Sequence, residues 1–453
     1  MAEGRSAARA ASVVLTAAAT VPPSAISAVV LAKPEAPLGR VSPLDQVLGL
    51  PVVLRTALTL QAAGVTRITM VVEEGDAATA AAVAGDRRLR VPVEVIAAPS
   101  RLAGLARACA AATEPLLAAP VEVLADPQLY RDLAAAPLAV DGRRRLAVTV
   151  VVSRGRAPLG PLLAAPALAD ALAGREGSRL ADVLGALLDE GAVVPLELRD
   201  TGAPRYFGID TPERRRRAED ALLDGCRKPV DGLVARHLNR PVSLFLSRRL
   251  AGTPVTPNAI TFVTLLIAVA GALSAARGGY GPMLLGAALL QAASILDGVD
   301  GELARLRFQQ SRLGQWLDTV VDDLSTLLFY AGVTASAARG PHGAWLAACG
   351  GVAMGSLVLT SLQYYAELRR LGSGDFYALD WSFLEREAVG ARARLVRLLH
   401  LLLKRDFFTL LYLALAVAGA LPLALPIAAA GHATTLVAAT ARTLSRRGRA
   451  PGP

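Results

Sequence analysis

Four aspartates stand inside otherwise apolar sequence: Asp297 and Asp300, then Asp318 and Asp322. At the centre of a membrane span each would cost about 2.5–3.5 kcal/mol, so such residues normally face a bundle interior, a partner or a pore. On a helix, Asp297, Asp300, Gly301 and Ala304 follow i, i+3, i+4, i+7, while Gly314, Asp318 and Asp322 recur every fourth residue along the next helix. Both carboxylate pairs can therefore face one cleft. Hard oxygen ligands gathered in this way suit Mg²⁺ or Mn²⁺, and without cations they would repel one another. Two ions at the ~3.5–4 Å separation of phosphoryl-transfer sites fit the ligand count. Gly301, Ala304 and Gly314 add little bulk to the same faces and leave room for a flat ligand, although small residues also serve ordinary helix packing. Arg305 adjoins the cluster, placed either to bind phosphate or to anchor the chain at the inner leaflet.

The elements that must carry these residues are membrane helices. From Thr256 onward, apolar stretches approach the ~20 residues needed to cross ~30 Å of hydrocarbon. Six spans fit, near 258–276, 282–304, 313–337, 343–366, 406–421 and 423–441. Basic residues cluster in alternate loops: Arg236, Arg240, Arg248 and Arg249, then Arg307 and Arg312, then residues 369–405, then 442–449, against only Arg277 and Arg339 between them. This bias places both termini in the cytoplasm. Residues 228–250 mix arginines with Leu233, Leu238, Leu244 and Phe245, as an interfacial amphipathic helix or a plain linker helix would. A second interfacial stretch runs from Glu385, Arg386 and Glu387 through Arg392, Arg394 and Arg397.

Before residue 225 the apolar runs are short and alternate with Ala/Leu-rich segments, the pattern of βαβ units. Strands are expected at 26–32, 67–73, 93–97, 121–125, 146–153 and 193–198, with helices at 51–63, 101–112 and 178–190, giving a doubly wound α/β domain ahead of an all-α six-helix transmembrane bundle. The chain divides into an N-terminal extension (1–24), the α/β domain (25–225), a linker helix (226–252), the membrane domain (253–443) and a basic tail (444–453). Arg5 and Arg9 precede an apolar run at 11–21, but Pro22 and Pro23 follow it, so a cleaved leader is not expected.

At 453 residues, with 53% apolar and 19% charged residues, the chain is neither disordered nor one small domain. The net charge of +10 suits an anionic membrane surface or phosphorylated substrates, and aromatics at 4% argue against stacking on nucleic acid. Cys109, Cys226 and Cys349 lie far apart without metal-ligand spacing and read as free thiols. His237, His342, His400 and His432 are likewise scattered and receive no role.

The run Asp297-Gly-Val-Asp300-Gly301-Glu-Leu-Ala304-Arg305, eight residues, then Gly314-Gln-Trp-Leu-Asp318-Thr-Val-Val-Asp322 resembles the signature of the CDP-alcohol phosphotransferase family, D-x-x-D-G-x-x-A-R followed by G-x-x-x-D-x-x-x-D, at every position. The resemblance covers about residues 256–442 and includes Thr256-Pro257-Asn258 at the first span. It implies an enzyme that moves a substituted phosphate from a CDP-alcohol to a hydroxyl acceptor and releases CMP. It also implies a homodimer, with Asp297, Asp300, Asp318 and Asp322 as metal ligands and Asp322 as general base. Gly301, Ala304, Arg305 and Gly314 would then shape the CDP site, while Arg240, Lys404 and Arg405 are candidate contacts for the acceptor's phosphate.

The α/β half is similar to sugar-phosphate nucleotidyltransferases at residues 26–32, Pro43-Leu44, Gly49-Leu-Pro51, residues 63–67 and residues 209–213. The whole arrangement looks like bifunctional inositol-phosphate cytidylyltransferase and di-inositol-phosphate phosphate synthase. That likeness implies CDP-inositol as donor and inositol phosphate as acceptor, with CDP-diacylglycerol and a phospholipid product as the alternative. Where a phosphate-cradling Gly-rich loop should follow the first strand, however, the chain has Lys33-Pro-Glu-Ala-Pro-Leu-Gly39-Arg40, whose prolines remove donors. Ser42 replaces the usual lysine, Gly208 the usual aspartate before Asp210, and only Asp126 is left as a loosely aligned metal carboxylate, so this half reads as inactive. A transporter would also bury carboxylates, but no inverted repeat or pair of broken spans is evident. A scaffold dead in both halves does not explain an intact motif.

Overall fold

The computed structural model describes residues 13–14, 26–33, 41–140, 143–149, 160–175, 177–197, 205–228, 231–374 and 404–447. The chain forms two compact units, Met1–Leu222 and Leu223–Pro453.

The first unit is built on an eight-stranded sheet in the order Val13–Val14, Val193–Glu197, Ala147–Thr149, Leu162–Ala164, Leu116–Pro120, Ile26–Leu31, Val65–Glu73, Val93–Ala98. Neighbours pair in parallel except Leu162–Ala164, which runs antiparallel to the strands on either side of it. The strand expected at 121–125 is displaced. Leu116–Pro120 holds the central position, and Val123–Ala125 pairs with Tyr206–Gly208 outside the main sheet. Leu116-Leu-Ala-Ala-Pro120 has no β-branched residue and so gives little local signal; burial of all its residues between two strands makes it one.

Helices α1 (Val52–Ala63), α2 (Ala77–Ala84), α3 (Arg101–Ala111), α4 (Pro127–Ala134), α5 (Leu168–Leu172), α6 (Leu180–Asp189) and α7 (Pro212–Asp224) complete this part of the chain. Local chemistry sets their ends: Gly64, at φ 101°, terminates α1, while Ser100 and Asp126 cap α3 and α4. Leu102 and Leu105 of α3, Leu168 of α5 and Leu184 of α6 pack with Val29, Leu31, Val71 and Ala118 of the sheet. Cys109 lies in this core, where burial pushes its thiol up to about 12.

The second unit holds α8 (Arg240–Leu250), α9 (Pro257–Arg277), α10 (Tyr280–Leu306), α11 (Arg312–Ala337), α12 (Gly343–Leu371), α13 (Arg405–Val417) and α14 (Ala424–Arg447). Thr256 caps α9 by accepting from the Ala259 amide, 3.2 Å. Gly278 and Gly279, at φ 76° and 78°, turn the chain directly into α10. The two helices then meet at backbone distance, since a Cβ at Gly286 would lie 2.7 Å from the Gly271 carbonyl oxygen. Such close approach is how membrane helices gain packing energy without a hydrophobic drive between them.

Among the described residues, four helices are long and apolar enough to cross a membrane: α9, α10, α12 and Leu421–Leu444. Helices also occupy the other two expected spans, but α11 carries Asp318, Asp322 and Asp323, and α13 has only 13 residues. Length and composition alone thus mark four of the six expected spans, and helices are present at all six. Helix α8 turns Ser243, Leu244 and Ser247 inward and exposes Val242 and Phe245, with the Arg249 guanidinium 4.8 Å above the Phe245 ring. The expected second interfacial stretch at 385–397 lies outside the described residues.

Candidate active site

The motif aspartates come together where α10 and α11 diverge. Ser311 caps α11 by accepting from the Gly314 amide, 3.0 Å, which fixes the first turn of the helix that carries Asp318 and Asp322. At the other side of the turn, Arg307 reaches back to the carbonyls of Leu250, Ala251, Thr253 and Val255, tying the end of α8 to the end of α10. A lone cation that satisfies several helix-end carbonyls is a strong local fastener.

Carboxylate oxygens of Asp297, Asp318 and Asp322 lie within 4.8 Å of one another. Asp300 belongs to the same cavity but is engaged differently: it accepts from the Thr261 hydroxyl of α9 and, at 2.5 Å, from the Gly301 amide. Buried Oδ1 atoms of Asp318 and Asp322 have no hydrogen-bond partner. Carboxylates that crowd together with vacant lone pairs fit a hard divalent cation such as Mg²⁺ or Mn²⁺. Arg405 forms an ion pair with Asp322 and sits 3.8 Å from Asp297, supplying positive charge to the cluster from α13.

A cavity of about 300 Å³ adjoins these groups, lined by Gly301, Ala304, Arg305 and Gly314 together with Lys228, Arg240, Asn258, Gln309 and Ser311. The glycines keep it open. A Cβ at Gly301 would come within 3.3 Å of Arg305, and one at Gly314 within 3.4 Å of Asn258 Oδ1. Arg305 donates to the Cys226 carbonyl at 3.2 Å and retains a buried Nε without a partner, a donor available to an anion.

The candidate acceptor contacts separate. Arg405 is at the carboxylates, and Arg240 lines the cavity but is held by Asp231 and Glu302. Lys404 is half-buried and is not among the cavity-lining residues. Asp323 accepts from the Tyr365 hydroxyl at 2.6 Å and so joins α11 to α12. His432, assigned no role from sequence, meets Tyr330 at 3.1 Å. Thr261, Lys228, Asn258, Asp231 and Glu302 escaped notice as site residues. Of these, Asn258 lies within the resembling tripeptide Thr256-Pro257-Asn258 at the first span.

In the first unit, the candidate metal carboxylate Asp126, and Asp210 of the resembling segment 209–213, are engaged in ion pairs. Asp126 caps α4 and pairs with Arg205, and Asp210 pairs with Arg214 at 2.9 Å. The loop at 34–40 lies outside the described residues.

The bifunctional IPC transferase and DIPP synthase of Thermococcus kodakarensis is 41% identical over 118 residues, covering 26% of each chain. The archaetidylinositol phosphate synthase of Methanothermobacter thermautotrophicus is 39% identical over 83 residues, covering 18% of this chain and 40% of that protein. These matches span between about a quarter and two fifths of the curated relatives' length. A crystal structure of Mycobacterium tuberculosis phosphatidylinositol phosphate synthase with CDP-DAG bound aligns with a TM-score of 0.33 and 20% identity, over 45% of this chain and 92% of that one. Residues 254–421, which contain the complete Asp297-to-Asp322 motif, match the family model of CDP-alcohol phosphatidyltransferase.

Proposed function

We propose that the protein is an integral membrane CDP-alcohol phosphotransferase that transfers a substituted phosphate from a CDP-alcohol to a hydroxyl acceptor and releases CMP. The observation that carries this reading is the cluster of Asp297, Asp318 and Asp322 beside a cavity kept open by Gly301 and Gly314. The acceptor oxygen bonds to the β-phosphorus of the donor while the bond from that phosphorus to the CMP oxygen breaks. Asp322 takes the hydroxyl proton, and its Oδ1, which has no hydrogen-bond partner, is the atom suited to do so. Asp297, Asp300, Asp318 and Asp322 hold one or two divalent cations, which neutralise the diphosphate and the departing CMP when bound. Arg305 binds a donor phosphate through its vacant Nε, and Arg240, on the cavity wall, and Arg405, at the carboxylates, are placed to serve a substrate phosphate, whereas Lys404 is not.

The preferred donor is CDP-inositol and the preferred acceptor inositol phosphate, in keeping with the bifunctional relative. The archaetidylinositol phosphate synthase relative supports a second reading, in which a CDP-activated lipid is the donor and a phospholipid the product. The cytidylyltransferase-like unit is inactive in both readings: Pro34 and Pro37 interrupt the loop that should cradle the triphosphate, and Gly208 stands where an aspartate is usual. We place six crossings in the membrane, α8 at the interface with Phe245 toward lipid, both termini in the cytoplasm, and a homodimer as the working unit. CMP release by the purified protein in lipid with Mg²⁺, offered CDP-inositol or CDP-diacylglycerol with inositol or inositol phosphate, tests the assignment. Release from CDP-inositol alone supports the first reading, and release from CDP-diacylglycerol alone the second.

A further inference from the structure

Glu302 stands inside the motif, one residue beyond Gly301, and its side chain is fully buried. An uncompensated carboxylate there would be costly, but three donors from one side meet it: Arg240 Nη1 at 2.8 Å, Ser243 Oγ at 2.7 Å and Ser247 Oγ at 2.6 Å. Residues 240, 243 and 247 follow i, i+3, i+7, a single face of α8. The opposite edge of the Arg240 guanidinium is held by Asp231, with Nε and Nη2 each at 2.9 Å from a carboxylate oxygen. A guanidinium has five N–H groups, and these bonds engage three of them.

Arg240 also lines the cavity that contains Asp297 and Arg305. Gly298 admits it, since a Cβ at that position would lie 3.0 Å from Arg240 Nη1 and 3.2 Å from Ser243 Oγ. Ser243, Ser247 and Glu302 alone would be enough to fasten α8 to α10. A second carboxylate on the far edge of the cation, and a glycine that lets it reach the cavity wall, point to a cation that is being aimed.

We propose that Glu302 and Asp231 are positioning residues that hold Arg240 from both edges, so that its remaining N–H groups bind phosphate oxygens of a substrate in the cavity. The proposal rests on the phosphotransfer reading and adds to it which carboxylates orient the phosphate-binding cation. The phosphate belongs either to the CDP donor or to the acceptor, and kinetics with each varied separately tells them apart.

The test compares wild type, Glu302→Gln, Arg240→Gln and the double variant, full-length in lipid with Mg²⁺, by CMP release. A charge-assisted hydrogen bond is worth ~1.5–3 kcal/mol, so misaimed Arg240 should raise KM for one phosphate-bearing substrate about tenfold. The expected result is that rise in Glu302→Gln with kcat nearly unchanged, an equal or larger rise in Arg240→Gln, and no further loss in the double variant. Multiplying effects in the double variant, or a fall in kcat with both KM values intact, would overturn it. Ser243→Ala with Ser247→Ala removes only the hydroxyl fasteners and should leave KM within about twofold; a shift equal to that of Glu302→Gln would mean that anchoring of α8, not aim, is what matters. Should Glu302→Gln fail to fold, Asp231→Asn misaims the cation from the other edge and should give the same KM signature. If the wild type releases no CMP, the phosphotransfer reading fails, while calorimetric binding of CDP and of inositol phosphate still reports on the cation: about tenfold weakening of either in the variant supports its aim, and unchanged binding of both overturns it.

Discussion

Asp322 has two different oxygens to offer: Oδ2 pairs with Arg405 and buried Oδ1 has no partner. Replacement by Asn keeps the shape and removes the base, so CMP release should fall ~10²–10⁴-fold, the usual contribution of a positioned acid or base. The cluster also predicts metal dependence. EDTA should abolish release and Mg²⁺ restore it, while Asp318→Asn should weaken Mn²⁺ binding seen directly by electron paramagnetic resonance, with no turnover involved. Asp231 supplies a prediction about acid stability. Burial opposes its ionisation, but hydrogen bonds from Arg240 and the Lys228 amide win and hold its carboxyl below the ordinary range. A depressed folded value stabilises fully above the unfolded value near ~3.9 and is lost as pH falls through the folded one. Thermal stability below about pH 4 should therefore fall less steeply in Asp231→Asn than in wild type. The motif aspartates were legible in the sequence because carboxylates in apolar runs are costly at regular spacing. Glu302 was not, because its partners are 55 to 62 residues away and nothing local marks it.

Helices meet where small residues let them. At the α9–α10 contact a Cβ on Gly286 would face the Gly271 carbonyl at 2.7 Å and the Ala275 Cβ at 2.9 Å. Backbone cannot yield as a side chain would, so Gly286→Val should destabilise the second unit by about 1–3 kcal/mol, read as a lower unfolding temperature in detergent. Helix α8 exposes the large apolar side chains Val242 and Phe245 while Ser243 and Ser247 turn inward beside Leu244. Phe245→Trp should then fluoresce blue-shifted and be quenched by brominated lipid; water-like emission would remove α8 from the interface. The 3.6-residue period and the caps made α1, α3 and α6 legible to within a few residues. Leu116–Pro120 and the antiparallel Leu162–Ala164 were hidden, since strands of five and three residues owe their state to neighbours far along the chain.

At the scale of the whole chain, one unit gathers the motif carboxylates beside a cavity, and the other is an α/β sheet in which the candidate carboxylate Asp126 pairs with Arg205. The full-length protein should release no pyrophosphate from CTP and inositol phosphate, and any such release would restore the first unit as an enzyme. The donor must then be made by a separate cytidylyl-transfer reaction. The division into a sheet domain and a membrane bundle was legible from the change in apolar run length near Thr256. The number of crossings was less so, because the polar residues that build the site also make α11 less apolar. The most direct measurement is Mg²⁺-dependent CMP release from CDP-inositol and from CDP-diacylglycerol by wild type and Asp322→Asn, side by side in lipid. Release by the wild type that falls at least ~100-fold in the variant is the predicted result; no variant-sensitive release from either donor would contradict the account.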